Sequence, residues 1–459
     1  MGMSATAILL KEQGWSVTGS DTEAYPPATT QLERHDIPFA TRYDPANIPK
    51  DADLIVIGKN AKLARENNLE VQAAYDSGIS PSSFPQVLSG ILKGRKPIVI
   101  AGSYGKSTIT SLIAWCLSHA GVDVGWFIGA APEGMEPAHL GEHPVFVIEG
   151  DEYPASHEDQ RPKFSLYKAH DAVISAATHD HVNIYKTHGG YLKAFRALVE
   201  SLPKDGLLVL SADEPHAASL ARGAKARVVR YGLTDAADWH AMHIARSEAT
   251  TFDLMHGKEK MASLSTTLIG DHNIQNIVGA SAMLLEKKLI TPEQLARAVK
   301  DFKGLSRRLD KKTTHSSVPA YEGFGSSREK LQAAVAALKT RHPEKRLVVV
   351  FEPHTFSWRN KNMLHWFDTA FDGAGLVVLY KPAEQGALTH EQSTQEEMAA
   401  RLARTGISVL SAVHSDEVMD LLAKEVHEGD VVLLSSSGAM DGLIESIPIW
   451  LDNEFSNEL

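Results

Sequence analysis

Cysteine is what this chain has least of. Cys116 stands alone among 459 residues, which excludes an internal disulfide and any metal site built from several thiolates. Such cysteine usage fits a reducing cytoplasm, and the place of Cys116 in an apolar helix makes it an expected core residue. There is no apolar run of membrane-spanning length, no charged-then-apolar leader, no low-complexity tail and no repeat of solenoid period. The expectation is a soluble cytoplasmic protein with no membrane partner. Basic residues are also in short supply: 46 Lys and Arg face 57 Asp and Glu, a formal net charge of -11. The clustered cations that grip a nucleic-acid backbone are missing, so nucleic acid is excluded as a partner, while small anions remain open through local sites.

Apolar residues, by contrast, are plentiful. A hydrophobic content of 43% over this length buries several cores, and three domains are expected, all α/β in pattern: residues 1–95, 96–312 and 313–459. In the first, residues 5–12 read as a helix, 16–18 as a strand and 54–57 as a buried parallel strand. Met1-Gly2-Met3-Ser4 leads straight into the helix, like the second half of a strand-loop-helix unit, so this sheet is expected to lack its first strand. In the second, strands are expected from residue 98 and at 145–148, 172–175 and 207–210, then a strand-rich stretch at 226–267 and a helix opened by Gly270-Asp271-His272-Asn273. Residues 302–308 read as a hinge. The third places strands at 347–351, 376–380 and 431–434, a helix at 328–340, and a small-residue turn at Ser435-Ser436-Ser437-Gly438.

Residues 99–110 read Val-Ile-Ala-Gly-Ser-Tyr-Gly-Lys-Ser-Thr-Ile-Thr, an apolar strand running into a glycine-bounded turn that opens a helix. Gly102 and Gly105 let the backbone wrap tightly around Ser103 with its amides pointing inward. Lys106 can neutralise terminal phosphates, and a hydroxyl of Ser107 or Thr108 can ligate magnesium. ATP with Mg2+ is the predicted ligand. The loop is shorter than the general pattern, with Ile100 where a glycine would stand; the other reading is a plain strand-turn-helix with a lysine at its helix start.

Two polar clusters follow strands, Glu149-Gly150-Asp151-Glu152 and Thr178-His179-Asp180-His181, where open parallel sheets bind ligands. Glu149 offers the hard oxygen that magnesium prefers, and His181 can bind metal or orient a water. Singly, the clusters read as a solvated acidic turn and a locally hydrogen-bonded loop. Together, downstream of a phosphate loop, they read as a metal site. Zinc lacks a third strong ligand at a recognisable spacing.

The succession Gly-Ser-Tyr-Gly-Lys-Ser-Thr, Glu149, Asp180-His181, Gly270-Asp271-His272-Asn273 with Asn276, then Gly304 with Arg307-Arg308 resembles the Mur ligases, which join amino acids or peptides to UDP-N-acetylmuramate. The likeness covers almost the whole chain. It is greatest to the branch that joins L-Ala-γ-D-Glu-meso-diaminopimelate to the sugar nucleotide in cell-wall recycling, through Gly19-Ser20-Asp21, Tyr25-Pro26-Pro27, Thr30, Tyr43-Asp44-Pro45-Ala46-Asn47, the run from Glu149 to Tyr153, Arg161, Lys163 and Phe164. The alanine-adding branch is similar too.

The resemblance implies a truncated Rossmann-like N-terminal domain for a UDP sugar, a central P-loop ATPase-type parallel sheet, and a C-terminal Rossmann-like α/β domain for the amine. Lys106, Glu149 and His181 would be catalytic: Lys106 on the β and γ phosphates, Ser107 and Glu149 on a first magnesium, His181 with Glu149 on a second. His272, Asn273 and Asn276 would lie along the adenine, Arg308 would meet the nucleotide near the hinge, and Ser20 and Asp21 would serve the sugar nucleotide. A carbamylated lysine of some relatives is Phe195 here, as in the two similar branches.

Several segments depart from the family pattern. Its first glycine-rich loop survives only as Gly2, Thr178 replaces a glutamate, residues 154–160 replace a more aromatic stretch, and Ser103, Tyr104 and Ser107 stand for threonine, histidine and threonine. The Asp-Asp-(Tyr or Phe)-Ala-His-His-Pro segment reads Glu322-Gly323-Phe324-Gly325-Ser326-Ser327-Arg328, in which Glu322 keeps an acidic role or the whole forms a flexible turn. His354 and Arg359 would meet a substrate carboxylate. Trp358 reads equally as a surface-capping aromatic. The losses in the first glycine-rich loop and in residues 322–328 fall where substrate is read, while the glycines and Lys106 of the phosphate loop and Glu149 are kept. The expected activity is therefore ATP-dependent acyl activation through an acyl phosphate, followed by attack of an amine. Two other readings remain, a ligase with a changed substrate and a non-catalytic nucleotide-binding protein.

Overall fold

The computed structural model describes residues 2–22, 24, 26–59, 63–181, 184–247, 249–382 and 391–456; Met1 and Tyr25 of the motifs above lie outside them. The chain divides into two compact units, residues 1–267 with 273–305 and residues 268–272 with 306–459.

In the first unit, helix Gly2–Glu12 buries Ala5, Ile8, Leu9 and Leu10. The strand expected at 16–18 lies instead at Gly19–Ser20, parallel to Phe39–Ala40, and the one expected at 54–57 shortens to Val56–Ile57, parallel to Ser82–Ser83. Both corrections have one cause: a strand exists only where a neighbour offers a ladder, and each neighbour here offers two residues. Residues 54–57 are half-buried, not buried.

Residues 96–266 form a ten-stranded sheet. Its spatial order is Glu259–Thr266, Thr250–His256, Trp239–Arg246, Arg227–Gly232, Leu207–Ser211, Asp171–Ile174, Lys96–Ala101, Val145–Gly150, Gly125–Phe127 and Ala138–His139. The five strands from Arg227–Gly232 to Val145–Gly150 pair in parallel. The near-continuous apolar runs of the four from Leu207–Ser211 to Val145–Gly150 are what strands covered on both faces require. One face packs Val99, Phe146, Ile174 and Leu208 against Leu88 and against Tyr191, Phe195 and Leu198 of helix His188–Ser201. Phe195 is an aromatic core residue there, 5.8 Å from Phe164 and 5.1 Å from Tyr191 between ring centroids. Helix Lys106–His119 buries Ile109, Leu112, Ile113 and Cys116, and burial pushes the Cys116 thiol up.

The second unit carries a six-stranded sheet in the order Arg308–Lys311, Ala320–Gly323, Asp430–Ser435, Arg346–Phe351, Leu376–Tyr380 and Ser408–Ala412, parallel except for its first pair. The last strand in sequence enters between the second and third, which creates a switch point at the carboxyl ends of Arg346–Phe351 and Asp430–Ser435. Two expectations change here. Trp358 is fully buried, 4.8 Å from the Phe351 ring, with Nε1 donating to Gly325 O at 2.8 Å, so it is no surface cap. Residues 322–328 are no loose turn either. Glu322 lies in a strand, Gly325 is held by Trp358, and Ser326 O accepts from Thr355 Oγ1 at 3.1 Å. No helix among the described residues is long and apolar enough to cross a membrane.

Candidate active site

The phosphate loop joins strand Lys96–Ala101 to helix Lys106–His119 through two glycines at φ +144 (Gly102) and +82 (Gly105). A Cβ on Gly102 would fall 2.2 Å from Ser175 Oγ and 3.0 Å from Ala176 N, and one on Gly105 would fall 2.7 Å from Asn276 Oδ1. Only glycine fits either position. Ser175 Oγ donates to Tyr104 O, and Ser103 Oγ donates to Thr178 O at 2.5 Å, which ties the loop to the segment that follows the neighbouring strand Asp171–Ile174. The helix opens on Gly105 with no side-chain cap, the arrangement that leaves first-turn amides for an anion.

Lys106 Nζ donates to Gly102 O at 2.6 Å and to Glu152 Oε2 at 3.0 Å. Glu152 has no exposed surface, and its Oε1 also meets His181 Nε2 at 3.0 Å and Tyr191 OH at 2.9 Å. Burial alone would lower the Lys106 ammonium and raise the Glu152 carboxyl. Their mutual attraction, helped by Asp151 and Glu149 for the lysine and by His181 for the glutamate, reverses both, leaving Lys106 above and Glu152 well below its ordinary range. Burial, with Glu152 and Asp151 adding, pushes the Tyr185 phenol up to about 12, and its OH donates to Glu152 O at 2.6 Å.

Ser107 Oγ donates to Glu149 Oε1 at 3.0 Å and Gly129 N to Oε2 at 2.9 Å, so the structure brings together the expected hydroxyl-carboxylate pair; Thr108 is half-buried in the same helical turn. His181 differs from expectation. Among the described residues, the group whose ligand atoms lie within 4.8 Å of one another is Asp151, Glu152 and His181, without Glu149. The reason is backbone direction: His181 takes φ +54, with its N held by Asp180 Oδ1 at 2.7 Å, and its ring packs 4.3 Å from that of Tyr153. Glu152 and Asp151 were thus missed as individuals, although the carboxylate run at a strand end was the signal for them. Asp151 also pairs with Lys163 at 2.6 Å.

Asn273 and Asn276 are buried, bonded at 3.4 Å, and Asn276 abuts the phosphate loop at Gly105. Ser20 Oγ donates to Glu70 Oε1 at 2.5 Å, while Glu70 Oε2 accepts from Asp44 N at 2.7 Å and Asn47 Nδ2 at 2.8 Å. Asp21 Oδ1 accepts from Tyr43 OH at 3.1 Å. One carboxylate therefore gathers the Ser20 segment and the 43–47 segment.

The remaining candidates sit in the second unit. Burial, with Arg308 adding and Asp271 opposing, pushes the His272 imidazole down to about 4. Arg308 lies 5.3 Å over the Phe324 ring. Glu322 is buried between Arg307 at 2.6 Å and Lys312 at 3.1 Å, a closed ion-pair set. His354 Nδ1 lies 3.1 Å from Ser437 Oγ, and buried Arg359 donates to Gln392 Oε1 at 3.2 Å.

Comparison with known proteins bears on what this arrangement does. The Mur ligase middle domain matches residues 100–284, and the Mur ligase family catalytic domain matches residues 1–96. The UDP-N-acetylmuramate–L-alanyl-gamma-D-glutamyl-meso-2,6-diaminoheptandioate ligase of Haemophilus influenzae is 27% identical over 450 residues, covering 97% of this chain and 96% of that protein. The UDP-N-acetylmuramate–L-alanine ligase of Paenarthrobacter aurescens is 30% identical over 446 residues, covering 95% and 92%. Among solved structures, the UDP-N-acetylmuramate-alanine ligase of Thermotoga maritima shares the fold with a TM-score of 0.79 at 18% identity, over 99% of this chain and 97% of that one. The murein peptide ligase of Psychrobacter arcticus shares it with a TM-score of 0.70 at 22% identity, over 100% and 97%. A glycine-bound lysine loop flanked by strand-end carboxylates, carried on a chain that matches these relatives over nearly its whole length, belongs to the Mur ligase family of ATP-dependent ligases.

Proposed function

We propose that the chain joins the free amine of L-alanyl-γ-D-glutamyl-meso-diaminopimelate to the carboxylate of UDP-N-acetylmuramate, as the name of the Haemophilus influenzae relative describes for that protein. Residues 1–95 would hold the sugar nucleotide through the segments that Glu70 gathers, residues 96–312 the ATP, and residues 313–459 the amine. The muramyl carboxylate attacks the γ-phosphorus of ATP, ADP leaves, and the amine nitrogen attacks the acyl carbon with release of phosphate. Lys106 supplies positive charge to the transferring phosphoryl oxygens, and the loop amides orient the phosphate chain. Asn276, beside the phosphate loop at Gly105, and Asn273 bonded to it would lie along the adenine.

The donor set around the loop, a hydroxyl and several carboxylates, is the hard-oxygen chemistry magnesium takes. Magnesium, when bound, supplies charge neutralisation at the phosphate oxygens; Ser107 with Glu149 would hold one ion and His181 with Asp151 and Glu152 another. The observation that carries the reading is Lys106 suspended between Gly102 O and a fully buried Glu152, beside the Ser107–Glu149 pair.

The test is phosphate release by purified protein given ATP, UDP-N-acetylmuramate and the tripeptide, with each omitted in turn. Release that requires all three supports the reading. ATP binding with no release for any donor or amine would leave a nucleotide-binding protein without ligase activity. A changed acceptor is favoured by one observation, the sealing of Glu322 by Arg307 and Lys312, and a panel of amines distinguishes it.

A further inference from the structure

The switch point of the second unit brings the residues after Arg346–Phe351 alongside those after Asp430–Ser435. Ser436 Oγ donates to Glu352 Oε2, His354 Nδ1 lies 3.1 Å from Ser437 Oγ, and Glu352 N donates to Ser435 O at 3.1 Å. Gly438 closes the crevice so tightly that a Cβ there would lie 2.3 Å from His354 Cδ2 and 3.1 Å from Glu352 Oε2. Glu352 is only 6% exposed, and Ser436 engages one of its two oxygens; Oε1 has no hydrogen-bond donor among the described residues.

A second carboxylate, the exposed Asp441, accepts from Tyr380 OH at 2.6 Å and acts on Glu352 electrostatically. Arg307, the cation that also acts on Glu352, is already committed to Glu322 at 2.6 Å and to Gly438 O at 2.6 Å. Burial first, then Arg359 and Arg307, pushes the His354 imidazole down.

Burial first, with Asp441 adding and Ser436 and Arg307 opposing, holds the Glu352 carboxyl above its ordinary value, the cost of a buried acid with one oxygen unengaged until a cation meets it. We propose that this crevice receives an ammonium group of the acceptor that does not react, with Glu352 as the specificity-determining residue and Asp441 at its rim; the ligand class is a diamino acid or a peptide ending in one. The identity of the acceptor rests on the ligase reading above. The peptide named for the Haemophilus influenzae relative ends in such a residue.

The full chain, with ATP and UDP-N-acetylmuramate, is given two peptides: L-alanyl-γ-D-glutamyl-meso-2,6-diaminoheptandioate, and the same peptide ending in 2-aminoheptandioate, which lacks only the distal ammonium. The expected KM is lower for the diamino peptide by roughly 30-fold or more, the ratio that corresponds to a desolvated charge pair. Glu352→Gln should collapse that ratio toward one. A wild-type ratio near one, a ratio that survives Glu352→Gln, or an equal fall in kcat with both peptides would overturn the proposal. Should Glu352→Gln fail to fold, Asp441→Asn at the exposed rim reads the same effect at smaller amplitude: a ratio lowered a few-fold supports the proposal and an unchanged one overturns it. Calorimetric binding of the two peptides to the intact protein separates the two readings. Discrimination in binding without turnover supports the crevice and sinks the ligase; turnover without discrimination does the reverse.

Discussion

Replacing Lys106 by methionine keeps the length of the side chain and removes its charge, which strands Glu152. That carboxylate has no exposed surface, and the ammonium approaches its two oxygens at 3.0 and 3.3 Å. At such separations the gross attraction is about 5 kcal/mol with an effective dielectric constant of about 20. The net loss is smaller, because Tyr191 still donates at 2.9 Å and His181 still lies at 3.0 Å. Removing one partner of a buried pair costs about 3–5 kcal/mol, and the two surviving contacts place this site near about 3 kcal/mol. Lys106→Met/Glu152→Gln should recover about 2 kcal/mol of that, since a neutral amide leaves no charge to strand.

Chemical denaturation of the wild type, both single variants and the double variant closes the cycle. A loss under about 1 kcal/mol in Lys106→Met, or a double variant weaker than either single one, would refute the reasoning. The pH signs are fixed as well. Glu152 is held below its ordinary 4.5, so its share of stability is full above that value and lost as pH falls toward its folded value; Lys106 is held above its ordinary 10.5, so its share is full below that and lost as pH rises through its folded value. The cycle run at pH 7 therefore samples the whole effect. Phosphate release should vanish in every variant lacking Lys106.

Three further outcomes follow from the geometry. Gly102→Ala puts a Cβ 2.2 Å from Ser175 Oγ at φ +144; it should cost about 1–3 kcal/mol in denaturation and weaken ATP binding measured by calorimetry, and unchanged ATP affinity would show that the loop does not hold phosphate. Ser107→Ala removes the donor to Glu149 at 3.0 Å, and the magnesium concentration for half-maximal turnover should rise roughly 10-fold; an unshifted magnesium titration would remove Ser107 from the ligand set. His272 is depressed from 6.5 to about 4, so its contribution is present above pH 6.5 and lost as pH falls to about 4, worth up to about 3 kcal/mol. The ring resonance of His272 should titrate near the lower value, and His272→Gln should flatten the acid limb of the stability profile.

What could be read from the sequence was what neighbours in sequence decide. Gly102, Gly105, Lys106 and Ser107 build the loop from adjacent residues, and the apolar runs at 98, 145, 172 and 207 mark strands that sit in the middle of a covered sheet. Pairings across the fold were not legible. Glu152 lies 46 positions from Lys106, and no spacing rule says which carboxylate of Glu149-Gly150-Asp151-Glu152 the lysine meets. The edge strands moved for a similar reason: Val17 and Leu54 have strand character, but Phe39–Ala40 and Ser82–Ser83 decide where a ladder forms. Trp358 and Glu322 read as surface or turn residues because their partners, Phe351 and Gly325 for one, Arg307 and Lys312 for the other, lie on other segments that only the folded sheet brings alongside.

The Glu70 carboxylate does by three hydrogen bonds what a continuous sheet does elsewhere in the chain. Among the described residues before Lys96, strands exist only as two separate two-residue pairs, so few ladder bonds resist local opening. Cooperative protection scales with such ladders and with buried apolar contact. Amides of the 19–22 and 43–47 segments should therefore open together, as one small unit hinged on a single side chain, far more often than those of Lys96–Ala101. The segments offered to a sugar nucleotide are in this sense the most easily reshaped part of the first unit, and their order is set by one acid that never needs to touch the ligand.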